Sequence, residues 1–234
     1  MAKLSPSRIS TVVEVSRRRK ALMVKPPCSM VIVLSIDDTA ALIEALGLGS
    51  AHVCGASMGG MIAQHLAARH PQRVKSLTLM MTTSGARHLP QPSLKVRLAL
   101  MSRPADPRNI DSIVDHFVKL YGVIGSPGYP TPPQLLRERI AATVRRSYRP
   151  AATVRQLAAI MADEDRTPLL SRIAAPTLVI HGAADPLVPV ACGHDLSRRI
   201  AGAQIDVIEG MGHDLPQPLW SRFRDGIGAN ASRA

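Results

Sequence analysis

The stretch Ala51–Gly60, AHVCGASMGG, constrains this chain more than any other. A short apolar run, Ala51 to Cys54, meets Gly55-Ala56-Ser57-Met58-Gly59, with Gly60 beyond it. A helix-period pattern follows, in which Ile62 and Leu66, and Ala63 and Ala67, recur at i and i+4. Strand, sharp glycine turn and helix are the context that gives G-x-S-x-G chemical meaning. A serine at such a turn is held in strained backbone geometry with its hydroxyl clear of the sheet. The flanking glycines are expected where a Cβ would clash between strand and helix. The helix N-terminus brings backbone N–H groups to the place where an oxyanion would form. Small-residue strand-to-helix turns also occur without chemistry, so the remaining sequence has to decide.

Two positions bear on that decision. Asp185 lies in His181-Gly182-Ala183-Ala184-Asp185-Pro186, just past an apolar strand pattern, and His213 lies in Gly210-Met211-Gly212-His213-Asp214, just past the next. In a parallel α/β sheet the loops after the carboxyl ends of the strands open on one side. Ser57, Asp185 and His213 are therefore expected to converge there. Serine needs a base for its proton, and the base needs a carboxylate to fix its tautomer. The chain order Ser…Asp…His is the one expected of this architecture. Taken singly, Asp185 before Pro186 is a turn initiator and His213 is one histidine of eight. Asp214 is a second candidate acid, but its adjacency to His213 makes it a poor orienting partner.

Along the chain, Ile9–Val15 and Met30–Leu34 read as short strands, separated by the basic run Arg17–Lys20 and by Pro26-Pro27. Ser35 reads as an N-cap, with Asp37 and Asp38 in the first turn of a helix through Leu46 that Gly47 and Gly49 close. Val74–Met81 is the strand after the elbow helix, apolar on both faces as in sheets covered on both sides. Residues from about Arg87 to Thr167 contain no strand pattern. They offer helices at Leu94–Met101, Ile110–Val123, Pro133–Tyr148 and Ala152–Ala162, and read as a cap over one end of the sheet. Strand patterns return at Pro176–Gly182 and Gln204–Gly210, with helices near Val190–Ile200 and Leu215–Ala231. The division expected is an atypical basic segment 1–34, a first core part 35–86, a helical cap 87–167 and a second core part 168–234. The fold class is α/β, with a mostly parallel sheet and helices on both faces.

At 234 residues, 46% hydrophobic and 3% aromatic, the chain is long enough for one such domain with a core of Leu, Ile, Val, Met and Ala. No apolar run approaches the roughly 18 residues of a membrane span. Cys28, Cys54 and Cys192 are unclustered, which suggests neither a disulfide framework nor a metal site and fits a reducing, cytoplasmic setting. The formal charge is +12, concentrated in the first 25 residues and in arginines such as Arg137, Arg139, Arg145 and Arg146 on helical patterns. Without aromatic interleaving or a nucleic-acid motif, this reads as a solvated arginine-rich surface. The N-terminal segment is basic and acid-poor, as transit peptides are, but no secretory signal is evident.

The segments GASMGGMIAQHLAARHPQRV, GSPGYP, PTLVIHGAADPLVPV and VIEGMGHDLP resemble the α/β-hydrolase superfamily, and within it the branch of small serine esterases that includes aclacinomycin methylesterase. The resemblance runs from about Ser35 to the end. It implies Ser57 as nucleophile, His213 as general base and acid, Asp185 as orienting carboxylate and the Met58 backbone N–H as an oxyanion donor, with no cofactor and no metal. It further implies a carboxylic ester of a small molecule as substrate, methyl or short acyl esters being favoured. A cofactor-free perhydrolase would use the same residues. Family members carry several strands and a glycine-bearing oxyanion loop ahead of the elbow. Residues 1–34 contain no glycine, so the resemblance leads one to expect a chain lacking its first half-sheet, catalytically weak and prone to associate. Met101, Tyr121 and Tyr129 are the candidates for an apolar pocket wall. Oligomeric state is not legible.

Overall fold

The computed structural model describes residues 29–163 and 165–234. The strand expected at Ile9–Val15 lies outside the described residues. Met30–Leu34 is not a strand: helix α1 spans Ser29–Ala45, so Ser35 is an interior position and not an N-cap. A short apolar run is compatible with either period, and here it continues into the helical spacing of Ile36, Ala40 and Ile43, which pack against the main core. Gly47, at φ +69, takes the left-handed conformation that ends the helix.

Four strands follow: β1 at Ala51–Ala56, β2 at Val74–Met80, β3 at Thr177–Gly182 and β4 at Gln204–Ile208. They pair in the order β1-β2-β3-β4, every pair parallel. Among the described residues β1 forms one edge of this sheet. Helix α2, Met58–Arg69, crosses from β1 back to β2.

Strand alternation sorts the side chains onto two faces. Leu77, Leu79 and Val179 point one way and pack with Leu66 and Ala67 of α2 and with Leu196 of helix α8, Val190–Arg199. Met80, Leu178 and Ile180 point the other way, against Phe223 of helix α9, Trp220–Ala231. Parallel strands must be covered on both faces because each face is apolar. The sheet is so covered, as the apolar strand patterns lead one to expect. Leu66, Leu77 and Leu79 lose all solvent contact, each contributing roughly 1.5–3 kcal/mol of burial.

Between β2 and β3 the chain is helical: α3 at Leu94–Met101, α4 at Ile110–Ile124, α5 at Pro133–Arg146, α6 at Pro150–Ala162 and the single turn α7 at Thr167–Leu170. Asn109 caps α4, its side chain accepting from the N–H groups of Asp111 and Ser112. Ile113 and Val114 of α4 bury against Ile140 and Val144 of α5, a second small core away from the sheet.

Candidate active site

Ser57 sits between β1 and α2 at φ 51 and ψ −120, a left-handed conformation that costs a non-glycine residue of order 1–3 kcal/mol. The surroundings hold it there. The Ser57 N–H donates to the Met80 carbonyl, and its own carbonyl accepts from the Thr82 hydroxyl at 2.8 Å. A Cβ on Gly55 would lie 2.3 Å from the Gly59 carbonyl oxygen, and one on Gly60 would lie 2.6 Å from the Thr82 side chain. Those two glycines let strand, helix and following loop approach. Gly59, the last residue of the G-x-S-x-G pattern, faces open space, so the clash expected there from sequence belongs to Gly60 instead.

Asp185 follows β3 and is buried. Its Oδ1 accepts from the N–H groups of Leu187 and Val188 at 2.9 and 2.8 Å. Its Oδ2 lies 2.7 Å from Nδ1 of His213, which follows β4. Nε2 of His213 lies 3.1 Å from Oγ of Ser57. The structure thus brings all three sequence candidates into one hydrogen-bonded chain at the carboxyl end of the sheet. An ionised carboxylate only accepts, so Nδ1 of His213 must donate, and the lone pair of Nε2 then faces the serine hydroxyl. Met58 opens α2, where the first amides have no intrahelical acceptor.

The loop carrying His213 is fastened by a contact that sequence reading did not anticipate. The His213 N–H donates to the Ile124 carbonyl at 2.7 Å, and the Gly128 N–H donates to the Gly210 carbonyl at 2.8 Å. Ser126, buried between the two loops, accepts from the Gly212 N–H at 2.8 Å and donates its hydroxyl to Asp214. The G-S-P-G-Y-P segment is therefore the mate of the histidine loop. Its glycines are the only sequence signal of this: a Cβ on Gly128 would lie 2.9 Å from the Gly210 Cα.

A cavity of about 650 Å³ opens onto Ser57 and His213, within the range of small-molecule sites. Tyr121 lines it, as expected, together with Phe117, Leu120 and Ile124. Burial and the Asp214 charge push the Tyr121 phenol upward. Two expected wall residues are elsewhere. Met101 is 74% exposed on α3, and Tyr129 packs with the core on the α9 side of the sheet. Arg139, read from sequence as part of a solvated surface, lines the cavity instead.

Among the described residues no cluster of His, Cys, Asp or Glu has the form of a metal site, and no helix is long and apolar enough to cross a membrane.

The fold and this arrangement define an α/β hydrolase. The chain matches the α/β hydrolase fold family over residues 26–216 and belongs to that family. It is 30% identical over 174 residues to a poly(3-hydroxyalkanoate) depolymerase of Ectopseudomonas oleovorans, covering 73% of this chain and 57% of that one. It is 27% identical over 203 residues to the rhodomycin D methylesterase of Streptomyces peucetius, covering 76% of this chain and 66% of the relative. It thus spans about 57–66% of the length of these curated relatives. The structure of a 2-hydroxy-6-oxo-6-phenylhexa-2,4-dienoate hydrolase from Rhodococcus sp. strain RHA1 superposes with a TM-score of 0.68 at 20% identity, over 91% of this chain and 75% of that one.

Proposed function

We propose that the chain is a serine hydrolase of small carboxylic esters, with Ser57 as nucleophile, His213 as general base and acid, and Asp185 as the orienting carboxylate. The observation that carries the reading is the continuous path Ser57 Oγ–His213 Nε2, 3.1 Å, and His213 Nδ1–Asp185 Oδ2, 2.7 Å. Ser57 Oγ attacks the ester carbonyl as its proton passes to Nε2. The resulting imidazolium is stabilised by Asp185, and the carbonyl oxygen, now negative, is met by the Met58 N–H at the positive end of α2. Nε2 returns the proton to the departing alkoxide, leaving the acyl group on Ser57. Water, deprotonated by His213, then attacks the acyl-enzyme and releases the carboxylic acid.

The similarity to a methylesterase among the curated relatives favours methyl or short acyl esters. The cap function of α3–α6 belongs to the same reading: α4 and α5 supply the cavity walls over Ser57. A fluorophosphonate probe and p-nitrophenyl acetate turnover test the reading together. Labelling and turnover that both vanish in Ser57→Ala are expected. Turnover equal in wild type and Ser57→Ala would refute it.

A further inference from the structure

The wall that α5 presents to the cavity has two parallel ridges. Leu136, Ile140 and Val144 recur at i, i+4 and i+8 and form an apolar ridge. Arg139 and Thr143 recur with the same spacing and form a polar ridge beside it, and Ser147, in extended backbone just past the helix, also lines the cavity. Arg149, just past the helix, extends the polar side. Such a wall suits an elongated molecule with an apolar body and a polar end.

The charges say which polar end. Arg139 is held by neutral groups: its guanidinium donates to the Gln217 side-chain oxygen at 2.8 Å and lies 5.8 Å from the Trp220 ring centroid. These contacts fix the planar fork without neutralising it. Among the described residues, no carboxylate comes within ion-pair distance of Arg139 or Arg149, although Arg137 on the same helix pairs with Asp111 and Asp115. Asp214, the one carboxylate among the described residues of the cavity wall, accepts the Ser126 hydroxyl. The cavity therefore carries a net cationic wall, with the Arg139 guanidinium oriented in advance by Gln217 and Trp220 and Arg149 exposed beside it. Arg139, held in place by these contacts, carries most of the effect.

We propose that this cavity selects esters whose apolar body ends in a carboxylate, recognised by Arg139 with help from Arg149. The proposal deepens the hydrolase reading and rests on it. Guanidinium and carboxylate match in geometry as well as charge, which phenols or amides do not.

Two matched probe pairs test it at low ionic strength. Mono-p-nitrophenyl suberate against p-nitrophenyl octanoate places the carboxylate on the acyl side, and p-butyryloxybenzoate against phenyl butyrate places it on the alcohol side. In at least one pair, kcat/KM is expected to be about tenfold or more higher for the anionic member. Arg139→Gln should bring that ratio close to one, Arg139→Lys should keep part of it, and Arg155→Gln, exposed on α6 outside the cavity, should leave it in place. The ratio is read within each variant, so loss of folded protein cancels, and leaving-group differences cancel between variants. No anionic preference in either pair, or an Arg139→Gln ratio equal to that of wild type, overturns the proposal. Calorimetric binding of octanoate and of octan-1-ol to Ser57→Ala separates the two claims. Octanoate bound about tenfold tighter, without hydrolysis of any ester by wild type, would uphold the cavity assignment and remove the hydrolase reading. Hydrolysis of neutral esters with equal binding of the two ligands would do the reverse.

Discussion

Nδ1 of His213 lies 2.7 Å from Oδ2 of Asp185, a residue 28 positions away in the chain. The carboxylate next to it in sequence, Asp214, instead receives the hydroxyl of Ser126. The two acids therefore have different partners, and substitution distinguishes their roles. Asp185→Asn turns an obligate acceptor into an amide that also donates and holds the wrong histidine tautomer, with an expected loss of roughly 10⁴ in kcat. Asp214→Asn keeps an oxygen for Ser126 and should lose far less. Steady-state hydrolysis of p-nitrophenyl acetate by both variants gives the comparison. The reverse order would make Asp214 the orienting acid.

The strain at Ser57 leads to a second expectation. At φ 51 and ψ −120 an alanine is as unfavourable as the serine, whereas glycine reaches this region freely. Ser57→Gly should therefore be more stable than Ser57→Ala by about 1 kcal/mol, both being inactive. Thermal unfolding of the two variants reads this. A less stable Ser57→Gly would mean the backbone there is not strained.

A third concerns the glycines of the elbow. Gly59→Ala enters open space on a helix and should gain up to about 1 kcal/mol. Gly60→Ala drives a methyl into Thr82, whose hydroxyl holds the Ser57 carbonyl, and should cost about 1–3 kcal/mol. It should also slow turnover by shifting Ser57, the proposed nucleophile. Denaturant midpoints and kcat of both variants check the pair.

These relationships show which parts of the fold were legible in sequence. Strands such as Val74–Met80 and Thr177–Gly182 announce themselves through apolar runs bounded by Gly and Pro, and α3 was placed to the residue by its spacing. The elbow and the loops of Asp185 and His213 were legible because each sits at a strand end, where parallel topology dictates convergence. Met30–Leu34 misled because five apolar residues carry no period of their own. The link from Ser126 to Asp214 spans 88 positions. No local pattern encodes a contact between two loops, which depends on how α4 is seated. Arg139 was misread for the same reason: its neighbours Gln217 and Trp220 lie far along the chain.

The last expectation concerns acid. His65 on α2 is buried, with Nε2 3.3 Å from Asp163. Asp163 also meets Arg166, which is itself buried and bonds to Gln64 and to the Thr83 carbonyl at 2.8 Å. Around His65 the carboxylate is thus shared with a guanidinium. Burial first, then the charges of Arg166 and Arg69, bring its imidazole down from 6.5 to about 4. The unfolded chain takes up this proton near pH 6.5, while the native chain does so only near pH 4. Between those values the unfolded state holds more protons, so stability must fall as pH falls through the window and stay level above it. His65→Gln keeps a donor for Asp163 without a titrating ring. Wild type should lose more of its melting temperature than His65→Gln as pH is lowered from 6.5 to 4, and the two curves should run parallel above 6.5. Parallel curves throughout would mean that the imidazole takes up its proton alike in the folded and unfolded chains, and a wild type that loses less than His65→Gln would mean that Asp163 holds the imidazolium inside the folded protein, reversing the sign of the effect.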